Sequence, residues 1–147
     1  MSDLKHTLKE QMKDAMRAKD KTRLGTIRMI QAEIQRVEVD ERIELDDERI
    51  LVVLDKMQKQ RKDSITQYLA AERPELAEKE QQELEVIKTF LPQPLSDSEI
   101  IQIIDDAIAA TGARSMQDMG MVMALIKPRV QGRADMGTVS TLVKRKL

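Results

Sequence analysis

The sequence predicts an all-α protein, and three observations carry that prediction. No run of alternating apolar and polar residues bounded by turn residues occurs, so nothing reads as a strand. Positions 26–111, 86 residues between Gly25 and Gly112, contain no glycine and are rich in Glu, Lys, Gln, Leu and Ala, the composition of long helices. Apolar residues recur three and four apart along most of the chain, as they do on the inward face of an amphipathic helix. Pro92 and Pro94, in the segment Phe90–Ser96, exclude a helix interior there and place a boundary. The expected organisation is a four-helix domain over residues 1–91, two helical hairpins making a four-helix bundle, and a three-helix domain over residues 92–147.

The elements follow in order. A first helix is expected from Asp3 to Lys19 with Leu4, Leu8, Met12 and Ala15 inward. Asp20 caps a second, whose stripe is Leu24, Ile27, Ile30, Ile34 and Val37. After an acidic connection, Asp46 or Asp47 caps a third, with Ile50, Val53, Leu54, Met57, Ile65 and Tyr68 inward. Pro74 suits the first turn of a fourth helix, which turns in Leu76, Leu84, Ile87 and Leu91. Ser96-Asp97-Ser98-Glu99 is a capping box opening a fifth, with Ile100, Ile103, Ile104, Ala107 and Ile108 inward and Gly112 as its stop. Ser115 to Asp118 is a second capping pattern. The stripe after it, Met119, Val122, Met123, Ile126 and Val130, keeps its phase across Pro128, so a kink rather than an end is expected there. Gly132 ends that helix, and Asp135 caps a last one packed through Val139, Leu142 and Val143.

Composition excludes several chemistries. The chain has no Cys, which removes disulfides, thiol nucleophiles and thiolate metal sites. His6 is its single histidine, so no metal site built on two is available; no metal and no cofactor are expected. Tyr68 and Phe90 are its only aromatics, too few for a base-stacking platform. The acidic run Glu38–Glu48 lacks the regular oxygen ligands and central glycine of a calcium loop. No phosphate-cradling glycine motif and no nucleophile constellation occurs, so no catalytic residue is nominated. No apolar run approaches the roughly 20 residues of a membrane span. The first residues have no apolar core of a signal, and the expected location is the cytoplasm.

Two features break the core pattern. Arg61 falls within the third apolar stripe and Glu83 within the fourth, at about 100° of rotation per residue. They stand 11 residues either side of residue 72, where the hairpin turns, so they face each other at one height. A largely buried ion pair that fixes hairpin register is the expectation. The second feature is the C-terminal charge. Residues 112–147 carry seven Lys/Arg and two Asp/Glu, while residues 96–111 carry four acids and no base. A basic block of this kind is a footprint for a polyanion. On the sixth helix, Met121, Ala124, Leu125 and Pro128 lie opposite the core stripe, a small apolar outer face beside Lys127 and Arg129. The turn Gln131–Gly137 offers backbone N–H groups at a helix N-terminus next to Arg133, an arrangement able to hold a phosphate. Ordinary packing of three short helices accounts for the same residues.

Four segments together resemble the YqeY-like proteins over essentially the whole chain. They are Gln60-Arg61-Lys62-Asp63-Ser64-Ile65, Phe90-Leu91-Pro92-Gln93-Pro94-Leu95-Ser96, Asp118-Met119-Gly120-Met121-Val122-Met123, and Gly132-Arg133-Ala134-Asp135-Met136-Gly137-Thr138-Val139-Ser140. The C-terminal part also resembles the tail domain of GatB, a subunit of the glutamine-dependent tRNA amidotransferase. The resemblance implies a four-helix bundle followed by a three-helix bundle. It further implies a non-catalytic module that grips tRNA or another structured RNA. Lys127, Arg129, Arg133 and Lys144 would then contact phosphates, and Gly120, Gly132 and Gly137 would allow close approach. The family's label of carbon–nitrogen ligase activity, with glutamine as amide donor, has no matching site in this chain. One position departs from the family: its first glycine motif usually has Lys where this chain has Met121, and often Gly where this chain has Ala124. Three readings therefore stand: an RNA-binding module, a subunit or relative of an amide-transferring ligase, and a protein–protein module using Met121, Ala124, Leu125 and Pro128.

Overall fold

The computed structural model describes residues 3–147. Among these residues it is all-α: seven α-helices, one short 3₁₀ turn and no strand. In order they are α1 (Asp3–Arg17), α2 (Lys21–Glu41), α3 (Asp47–Ala70), α4 (Pro74–Lys88), α5 (Asp97–Thr111), the 3₁₀ turn Met116–Asp118, α6 (Met119–Val130) and α7 (Met136–Lys146). The chain separates into two compact units, the first ending at Leu91 and the second running Pro92–Leu147.

In the first unit the apolar stripes meet in one core. It joins Leu8 of α1, Ile27, Ile30 and Ile34 of α2, Ile50, Val53, Leu54 and Met57 of α3, and Val86 and Ile87 of α4, with Phe90 beyond the last helix. Asp20 begins α2 by accepting from the Arg23 amide at 3.1 Å, and Asp46 begins α3 by accepting from the Arg49 amide at 2.9 Å. Pro74 sits in the first turn of α4, where its missing N–H costs nothing. Three differences from the sequence reading have local causes. The first helix stops at Arg17, because Lys19 turns left-handed (φ 56°) and lets Asp20 bond back to the Ala15 carbonyl at 3.0 Å. The second runs on to Glu41, ending on left-handed Arg42. The acidic connection carries a plug: Leu45 is buried, and its amide donates to Glu38 at 2.8 Å. Asp55, which no stripe singled out, is 3% exposed and accepts from Gln58 Nε2 at 2.8 Å with Lys59 Nζ at 3.1 Å.

α3 and α4 leave the core together. Ile65 and Tyr68 are only half-buried and Leu69 is exposed, because this end of the hairpin packs chiefly on itself. Arg61 lies in that seam. Its Nε donates to Glu83 Oε2 at 3.3 Å and stands 3.9 Å from Glu80 Oε2, with the Arg61 and Glu83 side chains 12% and 13% exposed.

In the second unit Ile100, Ile103, Ile104 and Ala107 of α5 share a core with Val122, Ile126 and Val130 of α6 and Val139 and Val143 of α7. Ser96 and Glu99 form the reciprocal capping box, and Gly112 closes α5 at φ 68°. The second capping pattern forms differently from the sequence reading. Ser115 makes no side-chain cap; Asp118 instead reaches back to accept from the Arg114 amide at 2.9 Å. That bond closes the 3₁₀ turn from its far end, satisfying a backbone donor with the longer acidic side chain.

Candidate functional site

α6 is twelve residues long, carries no acid and stays helical through Pro128. Val122, Ile126 and Val130 are buried, which turns Gly120, Met121, Ala124, Leu125 and Pro128 to solvent. Met121 is 54% exposed and Leu125 46%. Lys127 and Arg129 are both exposed, and the helical period puts them on opposite edges of that apolar face. On α7, Lys144, Arg145 and Lys146 crowd the last turn, where cations suit the negative end of the helix dipole.

The two acids of residues 112–147 are both tied to backbone. Asp118 holds the Arg114 amide; Asp135 Oδ2 holds the Thr138 amide and hydroxyl, each at 3.0 Å. The phosphate cradle expected at the start of α7 therefore meets a carboxylate already seated on that turn, which takes a donor and adds like charge. Cations outnumber these acids, and among the described residues Lys127, Lys144 and Arg145 have no acidic partner. Two other cations do. Arg129 Nη1 lies 3.7 Å from Asp106 Oδ2, and Lys146 Nζ 2.5 Å from Asp105 Oδ1. Asp105 and Asp106 are neighbours on α5, so the structure gathers α6 and α7 cations over one stretch of a third helix. Sequence inspection missed this because the partners lie far apart in the chain and no local period links them.

Arg133 has a different environment from the other candidates. Its Nε donates to the Gln93 carbonyl at 2.9 Å, and its own carbonyl accepts from the Leu95 amide at 2.8 Å. The pair of bonds clasps the proline-rich segment to the turn before α7. Arg133 also acts on Glu99, whose carboxyl is held below the usual carboxylate range by the Ser96 backbone and hydroxyl first and by the Arg133 charge last. Two of the four motif segments thus bind each other. The glycines divide similarly. Gly132 is buried at φ 74°, a conformation the turn reserves for glycine. A Cβ on Gly137 would meet Asp135 Oδ2 at 3.2 Å, while one on Gly120 would meet nothing within 4 Å. Of the three, Gly120 alone opens to solvent without such an internal reason. His6 is exposed, and no group of three or more His, Asp or Glu able to hold a metal occurs among the described residues.

These features define a class: an all-α protein of two helical units, the second presenting cations around an exposed apolar helix face. The family model described as Yqey-like protein matches residues 5–147, and the chain belongs to that family. Relatives include proteins named altered inheritance of mitochondria protein 41, mitochondrial. The Vanderwaltozyma polyspora protein is 35% identical over 76% of this chain and 64% of its own length. The Candida glabrata protein is 38% identical over 63% of this chain and 53% of its own length. The Pyrenophora tritici-repentis protein is 33% identical over 86% of this chain and 71% of its own length. The chain thus spans a little over half to about 70% of these relatives. Their names correct the cytoplasmic expectation: the relatives are mitochondrial by name. The expectation rested on an unremarkable N-terminal sequence, and targeting segments are removable, so that sequence carries no information on compartment. No helix among the described residues is long and apolar enough to cross a membrane.

Proposed function

We propose that this protein is a non-catalytic module for tRNA or another structured RNA, with α5–α7 as a three-helix bundle that makes the contact and α1–α4 as a four-helix bundle that carries it. One observation carries the reading: exposed Lys127, Lys144 and Arg145 lack acidic partners among the described residues, while Asp118 and Asp135 bond to backbone amides. Arg129 contributes once its partner exchanges. Arg133 is reassigned from phosphate contact to holding the proline segment in place. Such a surface reads phosphate spacing and the 2′-hydroxyl-lined shape of a folded RNA rather than base edges.

The test is filter binding of the pure protein to bulk deacylated tRNA at low and moderate salt. Charge reversal at Lys127 and Lys144 weakens binding at every tRNA sequence and flattens the salt dependence by about 0.7–0.9 in log–log slope for each phosphate no longer neutralised. A double variant that binds like the parent refutes the assignment. The exposed Met121 and Leu125 support a second reading, a protein-docking module, for which binding to a protein partner would be insensitive to salt and tRNA would not bind. A ligase using glutamine as amide donor requires a glutaminase on another chain, so the purified protein alone is expected to release no ammonia from glutamine and ATP.

A further inference from the structure

The cations of α6 and α7 fall into two sets. Lys127, Lys144 and Arg145 are open, while Arg129 and Lys146 are covered by Asp106 and Asp105. The covering acids come from α5, whose segment 96–111 has four acids and no base. The other two, Asp97 and Glu99, stand in the first turn, where the helix dipole favours acids and where Glu99 completes the capping box. Asp105 and Asp106 serve no cap. Asp106 accepts from Gln102 Nε2 at 2.8 Å, a bond within its own helix, and both otherwise face cations of the neighbouring helices.

We infer that Asp105 and Asp106 are specificity-determining residues, carboxylates that occupy the places of phosphates on the basic face and set which anions displace them. The inference rests on the RNA reading above. The covered pairs are exposed enough to exchange: side-chain exposure runs from 35% to 54% across the four partners, and ion pairs at that exposure are weak. They are also intramolecular, so a single free phosphate competes against a carboxylate at high effective concentration. A dense polyanion does not meet that barrier alone. It is already held at the open cations and brings further phosphates to Arg129 and Lys146 at a comparably high effective concentration. The guard therefore passes closely spaced phosphates and rejects isolated ones, which is a selection by charge density rather than by sequence.

The experiment compares the parent, D105N/D106N and a control, D63N/E78Q, which makes the same change in net charge at exposed acids of the first unit. Bulk deacylated tRNA and inorganic phosphate are the probes, and circular dichroism confirms that each variant keeps its helices. Expected for D105N/D106N is tRNA binding tightened several-fold at low salt. Its salt slope is steeper by about 1.4–1.8, equivalent to two further phosphates neutralised, because exchange no longer returns two carboxylates to solvent. Half-inhibition by inorganic phosphate should move to lower concentration. In an R129Q background, D106N should lose its effect. Equal tightening by D63N/E78Q, or an unchanged D106N effect in the R129Q background, would overturn the guard while leaving the RNA reading intact. Absence of tRNA binding by both the parent and D105N/D106N at low salt would overturn both, and binding by D105N/D106N alone would overturn the selection by charge density, because carboxylates that pass closely spaced phosphates cannot keep tRNA from the parent.

Discussion

Replacing Arg61 with Met removes the cation that faces Glu80 and Glu83 in the α3–α4 seam. Glu83 is 13% exposed and Glu80 24%, so two carboxylates one helical turn apart would remain largely out of water and repel each other. Removing one member of a buried pair costs roughly 3–5 kcal/mol, and an exposed pair contributes about 0–1. The geometry lies between the two limits: burial is high, but the contact is a single 3.3 Å bond shared with a carboxylate at 3.9 Å. A loss of about 2 kcal/mol is expected for the hairpin. Tyr68, the only tyrosine, sits in the same seam two turns further along α3, so its fluorescence follows this hairpin in a urea titration. With a slope of about 2 kcal/mol per molar urea, the midpoint moves down by about 1 M. The double variant R61M/E83M recovers most of the loss, because an apolar pair of similar volume carries no unpaired charge. A Tyr68 midpoint unchanged in R61M would refute the reasoning and assign hairpin register to Ile65, Tyr68 and Leu76 alone.

Three further outcomes follow from local geometry. S96A removes one half of the capping box and should cost the second unit about 1 kcal/mol, read as faster amide exchange in α5 with α1–α4 unaffected. G112A forces an alanine into φ 68° in open space, so the loss of about 1 kcal/mol is backbone strain alone, checked by a thermal melt beside G120A, which should be near neutral or stabilising. Glu38 is held below the usual carboxylate range by Lys5 first and the Leu45 amide second. A lowered folded pKa gives stability above the unfolded value, about 4.3, that is lost as pH falls through the folded value. E38Q should therefore be less stable than the parent at pH 7 and converge with it below pH 4 in urea titrations, where a constant gap at all pH values would contradict the linkage.

The helix stripes were legible because each is a short-range pattern: Ile27, Ile30 and Ile34 point one way on any helix, whatever lies opposite. Caps were legible for the same reason, since Asp20, Asp46, Ser96 and Asp135 act within three residues of themselves. Even the Arg61–Glu83 contact yielded to counting, because one tight turn at Glu72 relates the two helices symmetrically. Pairing between elements joined by longer paths was out of reach. Asp105 meets Lys146 across 41 positions and Arg133 meets Gln93 across 40, and both depend on how three helices rotate about a shared core. Arg133 and Lys127 therefore look alike in the sequence, two cations beside glycine turns, while the folded chain gives one a carbonyl to hold and leaves the other open. Periodicity and capping are properties of neighbouring residues and are written in the sequence directly. The charge a surface presents is what remains after distant side chains have paired, and only the tertiary structure decides which do.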